Sequence, residues 1–205
     1  MTSPWLRRAL EESRARGFLG PKAVETQIDH ATGFIDAWDY FRSTPPRRTL
    51  DLGSGGGLPG FVLLDHWELP MVLLDSMERR TEFMKHVLSW SEVPLGAEVW
   101  RGRAEDVARE NRGDSQFELV TSRSFGSPAT TAECAVRFLE LGGLLIVSEP
   151  PEGAGRWDTD GLDELGLEDL GTVRVHAGFE VIQKVRVTPP GYPRSSGTPK
   201  KHPIF

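Results

Sequence analysis

Thr49-Leu50-Asp51-Leu52-Gly53-Ser54-Gly55-Gly56-Gly57-Leu58-Pro59-Gly60 is the stretch on which the fold turns. A short apolar run enters a cluster of glycines, and Pro59 then opens a helix-like apolar segment. The pattern predicts strand, tight turn and helix start, the unit that closes on the polar tail of a nucleotide-like cofactor. Glycine tolerates the positive φ of such a turn and lets a ligand approach the backbone. Pro59 suits a first helical turn, where a missing N–H costs nothing.

Gly55, Gly57 and Gly60 satisfy the dinucleotide-binding spacing, although a single match of that kind is weakly selective. A phosphate loop of the Walker type would need Lys after Gly60, and Phe61 stands there. Asp51 decides between ligands. At the end of a strand it would repel a pyrophosphate, whereas the sulfonium and ammonium of S-adenosylmethionine (SAM) favour a nearby carboxylate. The turn residues Gly53, Ser54, Gly55, Gly57 and Leu58, with Asp51 behind them, are therefore candidate SAM contacts. A glycine-rich turn without a ligand is the alternative.

The chain has 205 residues and 38% hydrophobic content, enough for one core with a short extension. The expected division is a helical extension over 1–44, a SAM-binding domain over 45–188 and a basic, Pro-rich tail over 189–205, packed on or beside that domain. No apolar run reaches the ~18 residues of a membrane span, and residues 5–12 lack a signal-peptide core. The single cysteine, Cys134, excludes an intrachain disulfide and points to a cytoplasmic protein. A formal charge of −6 argues mildly against general nucleic-acid binding without excluding a local basic face.

Residues 3–16 have helical composition, with Trp5, Leu6, Ala9 and Leu10 on one side. The arginines around them read as a solvated face or a phosphate contact. A second helix is expected from Pro21 to Tyr40. His30 lies within it, where a lone histidine is more often a packing residue than a catalyst. Met71 to Asp75 is a second strand ending in a carboxylate, about 20 residues beyond the glycine turn, where an acid can accept from ribose hydroxyls. The competing role for Asp75 is capping the helix that starts near Ser76. After a third strand (97–100), the turn Gly102 to Asp106 borders the adenine pocket, with Ala104 and Glu105 as candidate contacts. A fourth strand, 117–121, delivers Arg123 to the strand ends, where chemistry is carried out. Arg123 is the leading catalytic, substrate-facing candidate and a further cofactor contact; a surface arginine is the other reading.

A helix over 127–139, a Glu140-to-Gly143 turn and a strand over 144–147 follow. Residues 153–169 form an acidic connection with a short helix, and no ordered ligand spacing marks a metal site there. Two late strands, 171–176 and 179–187, suit a hairpin. The tail reverses the charge: Arg194, Lys200 and Lys201 sit among prolines, as in an arm along a phosphate backbone or a disordered terminus.

These segments together resemble the small-subunit (16S) ribosomal RNA guanine-N7 methyltransferases, the RsmG or GidB family. The likeness rests on Asp51 to Gly60, Leu74-Asp75-Ser76, Gly102-Arg103-Ala104-Glu105, Thr121-Ser122-Arg123 and Tyr192 to Pro203. It implies a Rossmann-like class I SAM-dependent methyltransferase, an α/β fold with a mostly parallel seven-stranded sheet, helices on both faces and an antiparallel C-terminal hairpin. It implies that Gly53, Gly55 and Gly57 hold the methionine part, Asp75 the ribose, and Ala104 and Glu105 the adenine; Ser76, beside Asp75, is a further cofactor-binding candidate. Arg123, Arg194, Lys200 and Lys201 would serve the RNA. The implied partner is ribosomal RNA or the small ribosomal subunit, met by a monomer with no metal and no membrane association. Two segments depart from the family pattern: Asp29-His30-Ala31-Thr32, and Ser148-Glu149-Pro150-Pro151 in place of a Lys-Gly pair.

Methyl transfer from SAM is an in-line displacement that depends on alignment. Guanine N7 carries a free lone pair and needs no general base. The residues after the fourth strand are not the Pro-Pro-aromatic turn of amine methylation, and Cys134 sits in an expected helix rather than a nucleophile loop. A ring nitrogen or a small-molecule acceptor remains, and the resemblance selects guanine N7 of 16S rRNA. The alternatives are a small-molecule methyltransferase and a non-catalytic SAM-binding, RNA-associated protein.

Overall fold

The computed structural model describes residues 2–110, 114–151, 155–175 and 177–205. In chain order the elements are α1 (Pro4–Ala15), α2 (Val24–Phe41), β1 (Thr49–Leu52), α3 (Gly60–Trp67), β2 (Met71–Asp75), α4 (Glu78–Leu88), β3 (Ala97–Arg101) and α5 (Ala104–Arg109). There follow β4 (Phe117–Ser122), α6 (Pro128–Ala135), β5 (Leu139–Glu149), α7 (Thr159–Leu165), β6 (Leu167–Arg174), β7 (Gly178–Lys184) and α8 (Thr198–Lys201). The seven strands form one sheet in the order β3-β2-β1-β4-β5-β7-β6. The first five are parallel, and β7 runs antiparallel to both β5 and β6.

The central strands are buried on both faces, so they are largely apolar and sort their side chains by alternation. Met71 and Leu73 join the core under α1 to α4, while Val72 and Leu74 join the core under α5 to α7. Asp51 breaks this pattern. It lies between Leu50 and Leu52 with no exposed surface, and its register partners are Leu73 on β2 and Thr121 on β4. The sheet order reverses between β1 and β4, and the crevice at such a switch point is where ligands of open α/β sheets sit.

The N-terminal helices are part of the same packing. Ser3 caps α1 by accepting the Leu6 N–H at 3.3 Å. The helix then buries Trp5, Leu6, Ala9, Leu10 and Ser13, one face of a 3.6-residue period. Trp5 packs edge-on against Phe61 of α3. In α2, Gly33 lies against the sheet: a Cβ there would stand 2.2 Å from Phe179 Cε2. Helix propensity favours Ala over Gly by about 1 kcal/mol, but overpacking costs about 1–3 kcal/mol, and the Phe179 ring is fully buried against Phe34. Gly33→Ala should therefore lower the thermal midpoint, and an increase would contradict the packing.

Several element limits differ from the sequence reading, for local reasons. Helix α2 starts at Val24 rather than Pro21. Pro59 is the N-cap of α3, not a residue of its first turn, and the Leu58–Pro59 bond is cis. The expected turn over 102–106 is mostly helix α5. Helix α6 ends at Ala135, and β5 already begins at Leu139. The glycine pair read as a turn lies inside β5, where Gly142 takes φ +84° and the pairing to β4 shifts register between Phe117 and Leu119. Strand β6 starts at Leu167, inside the stretch expected to be an exposed connection. Of the expected hairpin strand 171–176, His176 lies outside the described residues.

Candidate active site

The glycine turn is built so that its own donors face inward. The N–H groups of Gly53 and Ser54 both donate to the Leu74 carbonyl, at 2.9 and 3.0 Å, and that of Gly57 donates to the Ser54 carbonyl at 2.8 Å. Gly55 N–H donates to Asp75 Oδ2 at 2.9 Å, and Gly60 N–H to Asp51 Oδ2 at 3.0 Å. A pyrophosphate cradle needs free N–H groups. This turn has committed those donors to the protein and leaves carboxylates beneath the strand ends, an arrangement that suits a cationic ligand. Gly53 and Gly55, at φ +75° and +55°, are the members of the turn that reach the surface. The residues present thus fit SAM.

The other candidates in the turn lie deeper than expected. Ser54, Gly57 and Leu58 are buried, and a Cβ on Gly57 would stand 2.3 Å from the Phe61 ring. Asp51 is enclosed too: its Oδ1 accepts from Thr121 Oγ1 at 3.2 Å. Burial pushes its carboxyl up to about 6, against the pull of Ser54, Gly60, Thr121 and the Arg123 charge. With no exposed surface, Asp51 cannot touch a ligand directly, which corrects the expected contact with a cation. Gly56 was not singled out. Its carbonyl accepts Ser13 Oγ at 2.8 Å, and a Cβ would meet Ser13 and Leu19, so the chain around α1 closes over this side of the turn.

Asp75 is not the cap of α4, whose N-cap is Met77 with no side-chain cap bond, but it ties that residue down while remaining at the site. Oδ1 accepts the Met77 N–H at 2.8 Å, Oδ2 faces Gly55, and the Arg80 guanidinium stands 3.6 Å from Oδ2. Ser76 is exposed next to it. Arg80 had no signal in the sequence beyond its helix position.

Ala104 and Glu105 open α5 and are buried. The Glu105 carboxylate is not free to read a base edge. Oε1 accepts the Gly197 N–H at 2.9 Å and Arg103 Nε at 2.9 Å, and the Cys134 thiol points at Oε2. Burial pushes this carboxyl up, but the Gly197 and Arg103 contacts outweigh it and leave the group below its usual value. Cys134 is an inert core thiol, driven well up by burial and the Glu105 charge.

The tail is latched rather than extended. Arg194, expected on RNA, turns onto Glu133: its backbone N–H and Nε reach Oε1 at 2.8 and 2.9 Å, and Nη2 reaches Oε2 at 2.7 Å. Thr130 Oγ1 donates to the Pro199 carbonyl at 3.1 Å. Lys200 and Lys201 in α8 are exposed.

A cavity of about 1370 Å³ opens beside the turn, at the C-terminal ends of β4 and β5. Lys22, Gln27, Arg123, Phe125, Glu149 and Trp157 are among its lining residues. Arg123 is half-buried and donates to Gln27 Oε1 at 3.1 Å. Burial lowers its pKa, opposed by Asp51. The Phe125 ring reaches over Gly53, where a Cβ would stand 2.7 Å from Cδ2, so the cavity and the cofactor turn share a wall. His30 also lines the cavity; burial, Arg123 and Lys22 lower its pKa, which keeps the imidazole neutral at pH 7. Among the described residues, no group of three His, Cys, Asp or Glu is placed to hold a metal, and no helix is long and apolar enough to cross a membrane.

Sheet order, glycine turn and strand-end acids define a class I SAM-dependent methyltransferase. Solved structures share the fold: a putative O-methyltransferase from Klebsiella pneumoniae superposes with a TM-score of 0.60 at 14% identity, covering 90% of this chain and 91% of that one. An SAH-bound methyltransferase from Podospora anserina gives 0.61 at 14%, covering 90% and 89%. The family model for rRNA small subunit methyltransferase G (GidB) matches residues 5–149. Ribosomal RNA small subunit methyltransferase G of Moorella thermoacetica is 32% identical over 171 residues, 78% of this chain and 70% of that relative. The chain belongs to the rRNA small subunit methyltransferase G family.

Proposed function

We propose that this protein methylates N7 of a guanine in small-subunit ribosomal RNA, as a monomer in the cytoplasm. SAM, when bound, supplies an electrophilic methyl group on a sulfonium. Asp75 offers acceptors on the ribose side and Asp51 a negative field from below the turn. The observation that carries the reading is the wall shared by the Gly53 turn and the Arg123–Phe125 cavity, which sets an acceptor beside the donor. N7 brings its own lone pair, so the residues at the strand ends have only to align it and exclude water. The rRNA assignment is supported by the family and by the relatives' names. A small-molecule acceptor is the second reading, favoured by the acidic Glu149 in the cavity wall.

The test is transfer of a tritiated methyl group from SAM to total RNA and to small subunits, followed by nucleoside analysis. Label in 7-methylguanosine is the expected result; label confined to small molecules overturns the RNA reading, and none at all favours a binding protein. Arg123→Ala should reduce turnover about 100-fold, the scale of a lost aligning contact, while calorimetry shows SAM affinity little changed. Equal loss of both would place Arg123 at the cofactor instead.

A further inference from the structure

We infer that Glu149 is the base-selecting residue of the acceptor cavity and that the base it selects is guanine. The inference deepens the guanine reading above and rests on it for the identity of the reacting edge. Glu149 is the last residue of β5, and its side chain is only 4% exposed. Its carboxylate is held by two donors whose side chains belong to residues lining the same cavity. Oε2 accepts Arg156 Nη1 at 3.0 Å, and Oε1 accepts Trp157 Nε1 at 3.1 Å. A carboxylate has about four acceptor positions, so each oxygen keeps one for a ligand in the cavity that Glu149 lines.

An ionised carboxylate accepts and cannot donate. Guanine is the nucleobase with adjacent donors, N1–H and N2–H, on its pairing edge. Adenine and cytosine place a ring-nitrogen lone pair beside their amine, and uracil flanks one N–H with carbonyls, so each would set a lone pair against the carboxylate. Bases brought into such pockets are read on this edge by hydrogen bonding and by stacking. Trp157 and Phe125, on the same cavity, supply aromatic surface. The orientation is self-consistent as well. N7 belongs to the imidazole ring, away from the N1–N2 edge, so a guanine gripped at the end of β5 turns N7 toward Arg123, Phe125 and the Gly53 turn. Lys22 and Arg174 line the same cavity without an ion pair among the described residues, free for flanking phosphates.

The experiment measures binding of GMP, IMP and AMP by calorimetry to full-length protein saturated with S-adenosylhomocysteine. IMP lacks only the exocyclic amine. A hydrogen bond to a charged group is worth roughly a tenfold or greater change in affinity, so wild type should bind GMP about ten times more tightly than IMP, with AMP weaker still. Glu149→Gln keeps the shape, but its single oxygen accepts from only one of the two donors, Arg156 and Trp157, so some loss of thermal stability accompanies it; in it the GMP-to-IMP ratio should fall to about two or less. A purely structural Glu149 would lower the thermal midpoint without moving that ratio. Equal GMP and IMP affinity in wild type overturns the inference without any variant, and so does a Glu149→Gln protein that keeps the full ratio. The transfer assay separates the two readings. Label in 7-methylguanosine with no GMP preference retains the function and removes this role for Glu149. A GMP preference abolished by Glu149→Gln, without label in RNA, retains the pocket and removes the transfer reading.

Discussion

Replacing Arg194 by Ala is expected to cost the fold about 3–5 kcal/mol, the penalty for stranding one member of a buried ion pair. For a chain of this length that is a drop in thermal midpoint on the order of 10 °C. Glu133 has no exposed surface, and among the described residues its side-chain acceptor contacts come from Arg194 alone: Nε, Nη2 and the backbone N–H. Alanine keeps the backbone donor and removes both guanidinium bonds, leaving a carboxylate inside α6 with no paired cation among the described residues. Arg194→Lys keeps the charge but not the fork, and should fall between. Adding Glu133→Gln to Arg194→Ala should recover part of the loss, because the stranded charge is gone. Lys200→Ala and Lys201→Ala, at exposed positions, should shift the midpoint by less than about 0.5 kcal/mol equivalent. An Arg194→Ala protein that melts like wild type but binds RNA more weakly would refute the latch and restore Arg194 to an RNA-contacting arm.

That latch marks where the sequence stops being legible. The parallel core could be read because Met71 to Leu74 is an apolar run, Phe117, Leu119 and Val120 make the fourth strand mostly apolar, and the Asp51-to-Gly60 order fixes strand, turn and helix. Local signals failed where local rules conflict. Gly142 and Gly143 look like a break, yet β5 passes through them because a register shift absorbs the left-handed Gly142. Trp157 sits in a run of acids that reads as solvated, yet it is buried because its indole N–H finds Glu149. The roles of carboxylates were the least legible. Glu105 and Glu133 hold residues 92 and 61 positions away, and no periodicity carries such a distance. The inward commitment of the glycine-turn donors was equally hidden, since it depends on a carbonyl of β2, Leu74. The choice of SAM over a dinucleotide followed from the charge of Asp51; the structure supports the same choice through donors the sequence does not display.

Asp51→Asn should make the ligand-free protein more stable at pH 7.5 and weaken SAM binding by about tenfold or more. The amide keeps the local bonding: Oδ1 can accept the Gly60 N–H, and Nδ2 can donate to Thr121 Oγ1, which now donates to Asp51 at 3.2 Å. What disappears is a charge in a fully buried position. Burial raises this carboxyl from 3.8 to about 6, so the folded state holds its proton more tightly than the unfolded chain does. The stability from that proton is fully present below about pH 4 and is lost as pH rises through about 6. A shift of that size corresponds to about 3 kcal/mol, the upper limit of what Asn can recover at pH 7.5. Glu180, raised to about 7 by burial and by Asp169 and Glu149, adds a slope of the same sign in both proteins, so the comparison must be made between wild type and variant at each pH. Binding has the opposite sign. A positively charged ligand above the turn favours ionised Asp51, so wild-type SAM affinity should rise with pH through about 6, while Asp51→Asn should lose that rise. A unit charge acting over several ångströms at an effective dielectric near 20 supplies about 2 kcal/mol, hence the expected tenfold or greater loss. Melting curves and calorimetric titrations with SAM at pH 5, 6 and 7.5 measure both halves. Unchanged SAM affinity in Asp51→Asn, with the wild-type pH profile intact, would show that the buried carboxylate only ties β1 to α3 and β4.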